Sequence, residues 1–185
     1  CHFMLNLRKF KKDDAHELHN VRKLHLKWHK DDRAYCRELY CYDLFRRFGI
    51  WTAAYSSYCR LWIHVEGDSE AAYYGVYEMI EGIDDKYVKK RKELFGDHNH
   101  NLWKCRWGAS LNYNDRNNVS IHVDDDSGAN YTYELKSNTE NFAAAKTQLI
   151  EFTKNLTQRT GKDFHDWIAS VCDVRLLLRT YAVNV

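Results

Sequence analysis

Proline is absent from this chain of 185 residues, and only eight glycines interrupt it. Without proline-rich or glycine-rich stretches there is no sign of a linker or of a domain boundary, so the sequence predicts a single domain. No apolar run approaches the roughly 18 residues that a membrane-spanning helix needs, and no membrane span is therefore expected. A chain that is 44% hydrophobic and 15% aromatic can still bury a core of its own.

The chain also lacks an excess of charge of either sign. Its 28 lysines and arginines are nearly balanced by 26 acidic residues, which leaves a formal net charge of +2. Such a balance gives no bulk attraction to nucleic acid or to an anionic membrane, so neither is expected as a partner. The six cysteines show no C-x-x-C spacing, which argues against a structural zinc site. They are interpreted mainly as small buried hydrophobic side chains, and their disulfide state stays open.

A helix is predicted from about Arg33 to Phe48, because Asp31 or Asp32 can cap its start and Gly49 can end it. In helical projection Arg37 falls within the apolar stripe of this helix. A buried guanidinium needs an anion, which can be a ligand phosphate or a carboxylate of the protein. For Arg37 taken alone, a structural pair with a neighbouring carboxylate is the favoured interpretation.

Alternation of apolar and polar residues predicts several strands. Leu24 and Leu26 are typical of a short edge strand, and residues 58–65 and 72–80 of a hairpin. Gly75 lies inside the second hairpin strand, where glycine indicates a bulge or the close approach of a ligand or another backbone. Further strands are expected at residues 102–107, 119–123 and 131–135, for a sheet of at least five strands.

Helical patterns occupy the rest of the chain. Asp84 can cap a helix that runs to Phe95 and closes at Gly96, and Ser137 to Glu140 fits a capping box. No capping residue or polar tail precedes Val185, so the polypeptide is expected to continue beyond it. The later helices are predicted at residues 142–156, 163–171 and 173–182.

Many short motifs of this chain occur in a fixed order that resembles the spore coat protein H (CotH) kinase family. The resemblance covers roughly residues 8–185, and its motifs are individually weak but specific as a set. They are Arg37-Glu38-Leu39, Asp43 to Gly49, Ser56-Ser57-Tyr58, Tyr73 to Tyr77, Glu81, Asn101 to Lys104, Tyr133 to Lys136, Cys172-Asp173-Val174, Leu176-Leu177-Leu178 and Ala182 to Val185.

The resemblance implies an α+β fold of the atypical protein kinase type. An antiparallel sheet with flanking helices would form the N-lobe over residues 1–136, and residues 137–185 would begin a helical C-lobe. The implied activity is binding of Mg-ATP and phosphorylation of serine or threonine on secreted or coat proteins, which implies a location outside the cell or at its surface. The alternative is a non-catalytic surface adhesion or protein-binding module, which would use exposed aromatic residues such as Trp51, Tyr55 and Trp62.

The same resemblance makes Lys104 and Glu81 the first candidates for the lysine and carboxylate that orient the nucleotide phosphates. Arg37 and Lys136 are further candidates for that pocket. Each of the four could instead form a salt bridge within its lobe, and for Lys136 this is the favoured interpretation. No catalytic or metal-binding residue is assigned, because the aspartates of the family's catalytic segment are expected beyond Val185. Activity of the chain alone is therefore not expected.

Overall fold

The computed structural model describes residues 2–10, 17, 21–96, 100–113 and 132–184. The chain divides into two compact units. Unit 1 contains Cys1–Gly82 and Leu178–Val185, and unit 2 contains Ile83–Leu177. The strand predicted at residues 119–123 lies outside the described residues.

Unit 1 is built on a four-stranded antiparallel sheet. Leu24 and Leu26 are 7% and 3% exposed, which confirms the predicted alternation. The prediction of an edge strand here is wrong, because this strand pairs on both sides and so lies inside the sheet. The sheet order is β1-β2-β4-β3, formed by β1 (Phe3–Asn6), β2 (Lys23–Lys27), β3 (Ser56–Ile63) and β4 (Ala72–Glu81).

The hairpin of β3 and β4 contains the predicted bulge. Leu61 pairs with Gly75, whereas Trp62 pairs with Tyr73, so Tyr74 is the extra residue of β4. Gly75 has a φ of 111°, a backbone conformation that side chains with a Cβ rarely adopt. The glycine therefore allows the bulge, as its place in the strand pattern predicted.

Helix α1 (Arg37–Arg47) starts four residues later than predicted. The N-cap residue is Cys36, so the predicted N-cap at Asp31 or Asp32 is wrong. The Asp32 carboxylate nevertheless accepts hydrogen bonds from the backbone N–H groups of Ala34, Cys36 and Arg37 next to the helix start. Gly49 follows the helix with a φ of 71°, which confirms the predicted left-handed end.

The expected burial of Arg37 is wrong. Since α1 begins at Arg37, this residue lies at the exposed N-terminal end of the helix and not within a buried stripe. Leu44 and Phe45 are only half-buried, and no residue of α1 is fully buried. No ion pair of the Arg37 guanidinium occurs within the part of the chain that the structure describes.

Unit 2 combines helices with a separate two-stranded antiparallel sheet. Its hydrophobic core joins Tyr133 and Leu149, against which Trp103, Ala109 and Phe142 pack. The single sheet of at least five strands is thus not found among the described residues, which form one sheet of four strands and one of two. The elements are α2 (Asp85–Lys90), α3 (Lys92–Phe95), β5 (Trp103–Cys105), β6 (Tyr133–Leu135), a 3-10 turn (Thr139–Asn141), α4 (Phe142–Gln158) and α5 (Gly161–Val171). The last helix of the chain is α6 (Val174–Asn184).

Two helix starts of unit 2 test the predicted caps. Asp84 accepts hydrogen bonds from the N–H groups of Lys86 and Tyr87, as predicted. The capping box at Ser137 is wrong, because the Ser137 hydroxyl accepts from Leu102 N and donates to the carbonyl oxygen of His100 instead. The Ser137 hydroxyl thus satisfies two backbone groups that are distant in sequence and does not cap the helix.

The cysteines are less buried than expected. Cys36, Cys41 and Cys105 are exposed, whereas Cys59 and Cys172 are half-buried, and all five carry free thiols. The interpretation of these residues as buried hydrophobic side chains is therefore wrong for the first three. No helix within the described ranges is both long and apolar enough to cross a membrane.

Candidate functional site

The β5–β6 ribbon of unit 2 has two chemically different faces. Trp103 pairs with Leu135, Lys104 with Glu134 and Cys105 with Tyr133. Because side chains alternate across a strand, Tyr133 and Leu135 enter the core on one face, and Lys104 and Glu134 share the other.

Glu134 is the anionic centre of the polar face. It is only 2% exposed, and the ammonium group of Lys136 forms an ion pair with its Oε1 atom. Arg106 Nη2 lies 3.6 Å from the Oε2 atom, too far for a hydrogen bond, and Oε2 accepts none from any described residue. A buried carboxylate without cations would be costly, so Lys136 and Arg106 stabilise it.

Lys104 adds a third cation to this face. Its side chain is exposed, and within the described ranges its ammonium group takes part in no ion pair or hydrogen bond. The carboxylate opposite it already has Lys136 and Arg106 beside it. Three cationic side chains and one carboxylate on this face leave an excess of positive charge, which is the arrangement that attracts an anion such as phosphate.

Lys136 also reaches a second polar feature of unit 2. It lines a cavity of about 300 Å³ together with Lys89, Asp85 and the segment Ser137 to Glu140. Lys89 Nζ lies 3.4 Å from Asp85 Oδ2. The structure thus confirms the predicted salt bridge of Lys136, and the same side chain borders a space large enough for a small polar group.

Glu81 and Arg37 belong to unit 1. Glu81 is 4% exposed, its Oε2 accepts a hydrogen bond of 3.2 Å from Tyr55 N, and its own N–H donates to Tyr55 O at 2.9 Å. These bonds fix the carboxylate at the end of β4. The predicted cooperation of Glu81 with Lys104 stays a prediction, since the two residues lie in different units.

The charge environment of Arg37 is set by Asp32. The hydrogen bond from the Arg37 N–H is the main reason why the pKa of the Asp32 carboxyl lies below its ordinary value, and the Arg37 charge adds to the effect. The Asp32 carboxylate does not form the structural pair with the side chain that was the favoured interpretation for Arg37. It meets the backbone amide of Arg37 at the helix start and forms no ion pair with the guanidinium.

The comparison with family models decides the family. The model of the CotH kinase protein family matches residues 2–185. This chain is a CotH kinase family member. The resemblance predicted from its motifs is confirmed, and so is the α+β class with an antiparallel sheet. No curated protein and no solved structure matches the chain.

We call the polar face of the β5–β6 ribbon, with Lys104, Arg106, Glu134 and Lys136, the cationic face. In this CotH family member, sequence reasoning missed two of its residues, Glu134 and Arg106. The signal that could have found Glu134 is its spacing from Lys136, because residues two apart on a strand share a face. The position of Glu134 opposite Lys104 could not be foreseen, since alternation predicts a strand at residues 131–135 but not the strand with which it pairs. The register of β5 with β6 is what brings the charges together.

Proposed function

We propose that this chain supplies the nucleotide-binding part of a CotH-type atypical protein kinase, which binds Mg-ATP and phosphorylates serine or threonine of secreted or coat proteins. Membership of the CotH kinase protein family supports the reaction class. The proposal assigns nucleotide binding to this chain and no catalytic step, and magnesium would enter with ATP, bound to its phosphates. We also propose that the protein acts outside the cell or at its surface, where such substrates occur.

The observation that carries the proposal is the exposed Lys104 on the cationic face. Its ammonium group has no counter-ion among the residues that the structure describes, and Glu134 beside it is occupied by two other cations. Kinases use a lysine on a strand of the N-lobe to hold nucleotide phosphates, and an exposed ammonium group is accessible to such a ligand. Lys136 would assist from the neighbouring strand, and Glu81 and Arg37 remain candidate contributors.

Mg-ATP binding can be tested by thermal unfolding of the chain with and without the nucleotide. At about 100 times its dissociation constant, a ligand adds about 2.7 kcal/mol to the free energy of unfolding. Replacing Lys104 by methionine keeps most of the length of the unbranched side chain and removes its charge, so we expect a tenfold or greater loss of affinity, or about 1.4 kcal/mol.

Lys154→Met is the matched control, because Lys154 is an exposed lysine of α4 in the same unit. Its variant should be stabilised by Mg-ATP as much as the unmodified chain. If saturating Mg-ATP stabilises neither the unmodified chain nor Lys154→Met, nucleotide binding is contradicted. Equal stabilisation of the unmodified chain and Lys104→Met would contradict the role of Lys104.

Adhesion is the second candidate function, and one observation favours it. Trp62 and Tyr73 are 58% and 50% exposed, and their ring centroids lie 4.8 Å apart on the β3–β4 hairpin. Paired exposed aromatic rings are frequent in protein-binding surfaces. If adhesion is the function, Trp62→Ala should weaken binding of the labelled chain to the surface of cultured cells, and Mg-ATP should add no stability.

A further inference from the structure

Three potential metal ligands converge in unit 1. His29 follows β2, Asp32 precedes α1, and Glu78 lies on β4, where it pairs with Lys27. One ligand atom from each of His29, Asp32 and Glu78 lies within 4.8 Å of the other two. Residues from three separate segments are thus gathered by the sheet and the helix start.

Two of these three side chains each bury one polar atom that has no hydrogen-bond partner among the described residues. The side chains of His29 and Glu78 are each 4% exposed. His29 Nδ1 and Glu78 Oε1 are shielded from solvent, and neither has a hydrogen-bond partner in the described part of the chain. An unsatisfied buried polar atom costs about 1–3 kcal/mol, so two such atoms facing each other need an explanation.

The distance between these two atoms fits a shared cation. His29 Nδ1 and Glu78 Oε1 are 3.6 Å apart, which exceeds the range of a hydrogen bond. Two ligand atoms that each lie about 2.0–2.2 Å from a tetrahedral zinc ion are separated by roughly 3.4 Å. A single ion between them would therefore satisfy both without a large movement.

Asp32 is held in place as the third ligand. Its Oδ2 accepts the N–H groups of Cys36 and Arg37 at 3.0 and 2.7 Å, and its Oδ1 accepts that of Ala34 at 3.0 Å. These bonds orient the carboxylate, and each oxygen can accept more than one bond, so Oδ1 retains a lone pair. Fixed ligands of this kind strengthen metal binding because little order must be gained.

Charge and access agree with a divalent ion. A neutral imidazole with two carboxylates carries a charge of −2, which such an ion would balance. The ring of His29 packs edge-on against Tyr35, with centroids 5.1 Å apart, and this contact restrains its orientation. A cavity of about 480 Å³ opens beside it, lined by Tyr58 and the bulge residues Tyr74 and Gly75, which leaves room for a fourth ligand such as water.

We propose that His29, Asp32 and Glu78 form a binding site for one divalent transition-metal ion of the zinc class. One imidazole nitrogen and two carboxylate oxygens are donors that zinc accepts, and a three-ligand set leaves one coordination position for a further ligand such as water. The alternative use of the same residues is an ion pair between a protonated His29 and Glu78, which needs no metal.

Zinc alone is the probe for the first test, which is calorimetric titration of the 185-residue chain after treatment with a chelator. The expected result is one zinc ion per chain. His29→Gln and Glu78→Gln should each weaken binding by more than the about 10–100-fold that loss of an outer-shell partner costs. His64→Gln is the control, because His64 is an exposed histidine of the same unit whose ring nitrogen contacts Asp68 O. This variant should bind zinc unchanged.

The second test needs no variant, so it holds even where a substitution prevents folding. X-ray absorption of the zinc-loaded chain should show nitrogen and oxygen neighbours at about 2.0–2.1 Å and no sulfur at about 2.3 Å. A sulfur neighbour would assign the ion to cysteine thiolates such as that of Cys36 and would overturn the proposal. Failure of the chain to bind zinc, or undiminished binding by both folded variants, would overturn it as well.

Discussion

At the scale of single residues, the chain concentrates its unusual electrostatics at two buried glutamates. Glu134 is 2% exposed and has cations on both sides, whereas Glu78 is 3% exposed and faces a histidine. Burial is the main reason why the pKa of the Glu78 carboxyl is raised, with the Glu38 charge as the next cause. Each glutamate follows a tyrosine in its strand, so the difference in their electrostatic environment comes from the side chains that surround the carboxylates.

Glu134→Gln should destabilise the chain. Glutamine has nearly the same shape but no charge, so Lys136 would lose its ion-pair partner in a largely buried setting. Because Arg106 is 46% exposed and partly hydrated, we expect a loss of about 1–3 kcal/mol and not the full cost of a broken buried pair.

Urea denaturation measures this loss. The control is Glu140→Gln, an exposed glutamate of the same unit, which should change the free energy of unfolding by less than about 0.5 kcal/mol. Similar stability of the two variants would show that the cations do not stabilise Glu134.

The cysteines should react at different rates. Desolvation raises the pKa of the Cys59 and Cys172 thiols, so their thiolate fraction near neutral pH is lowered, and both are half-buried. Iodoacetamide should therefore modify Cys36, Cys41 and Cys105 first, since alkylation requires an accessible thiolate. Mass spectrometry of peptides after timed alkylation checks the order, and a higher pH should speed labelling of the two slow residues. Faster labelling of Cys172 than of Cys105 would contradict it.

At the scale of elements, sequence patterns predicted the features that depend on interactions between residues close together in the chain. The β3–β4 hairpin, the bulge at Gly75 and the cap at Asp84 were predicted because alternation, glycine conformation and side-chain hydrogen bonds act within a few residues. The capping box at Ser137 failed because distant backbone groups of residues 100 and 102 bind its hydroxyl. The position of β2 inside the sheet was missed for the same reason, because its pairing with β1 joins two segments that are separated in the sequence.

Gly75→Ala should isolate the cost of the bulge conformation. A Cβ at this position would meet no atom within 4 Å, so crowding contributes nothing, whereas the φ of 111° remains unfavourable for alanine. We expect a loss of about 1–2 kcal/mol in the free energy of unfolding, measured by urea denaturation.

Arg60→Ala serves as the comparison, because Arg60 is exposed on the neighbouring strand and pairs with Val76. It should change stability by about 0.5 kcal/mol or less. If both variants are equally stable, the bulge is not strained for a residue with a Cβ, and the argument for glycine fails.

At the scale of the whole molecule, the family was predictable although neither site was fully so. Many weak motifs in a fixed order identified the CotH family, because the order of motifs along the chain can identify a family even where the role of each residue stays open. Lys104 was selected through this order. Glu134 and the group of His29, Asp32 and Glu78 depend on strand register and on the start of α1, which no local pattern specifies.

The two proposed ligands should leave separate footprints in hydrogen–deuterium exchange. A bound ligand slows exchange of the amides that it orders, because local opening becomes rarer. Zinc should protect the start of α1 and the centre of β4 in unit 1, and Mg-ATP should protect β5 and β6 in unit 2.

The Tyr55 amide, which donates to Glu81, reports separately whether that carboxylate joins the nucleotide site. His29→Gln should abolish only the zinc footprint and Lys104→Met only that of Mg-ATP, whereas loss of both footprints in either variant would contradict two independent sites.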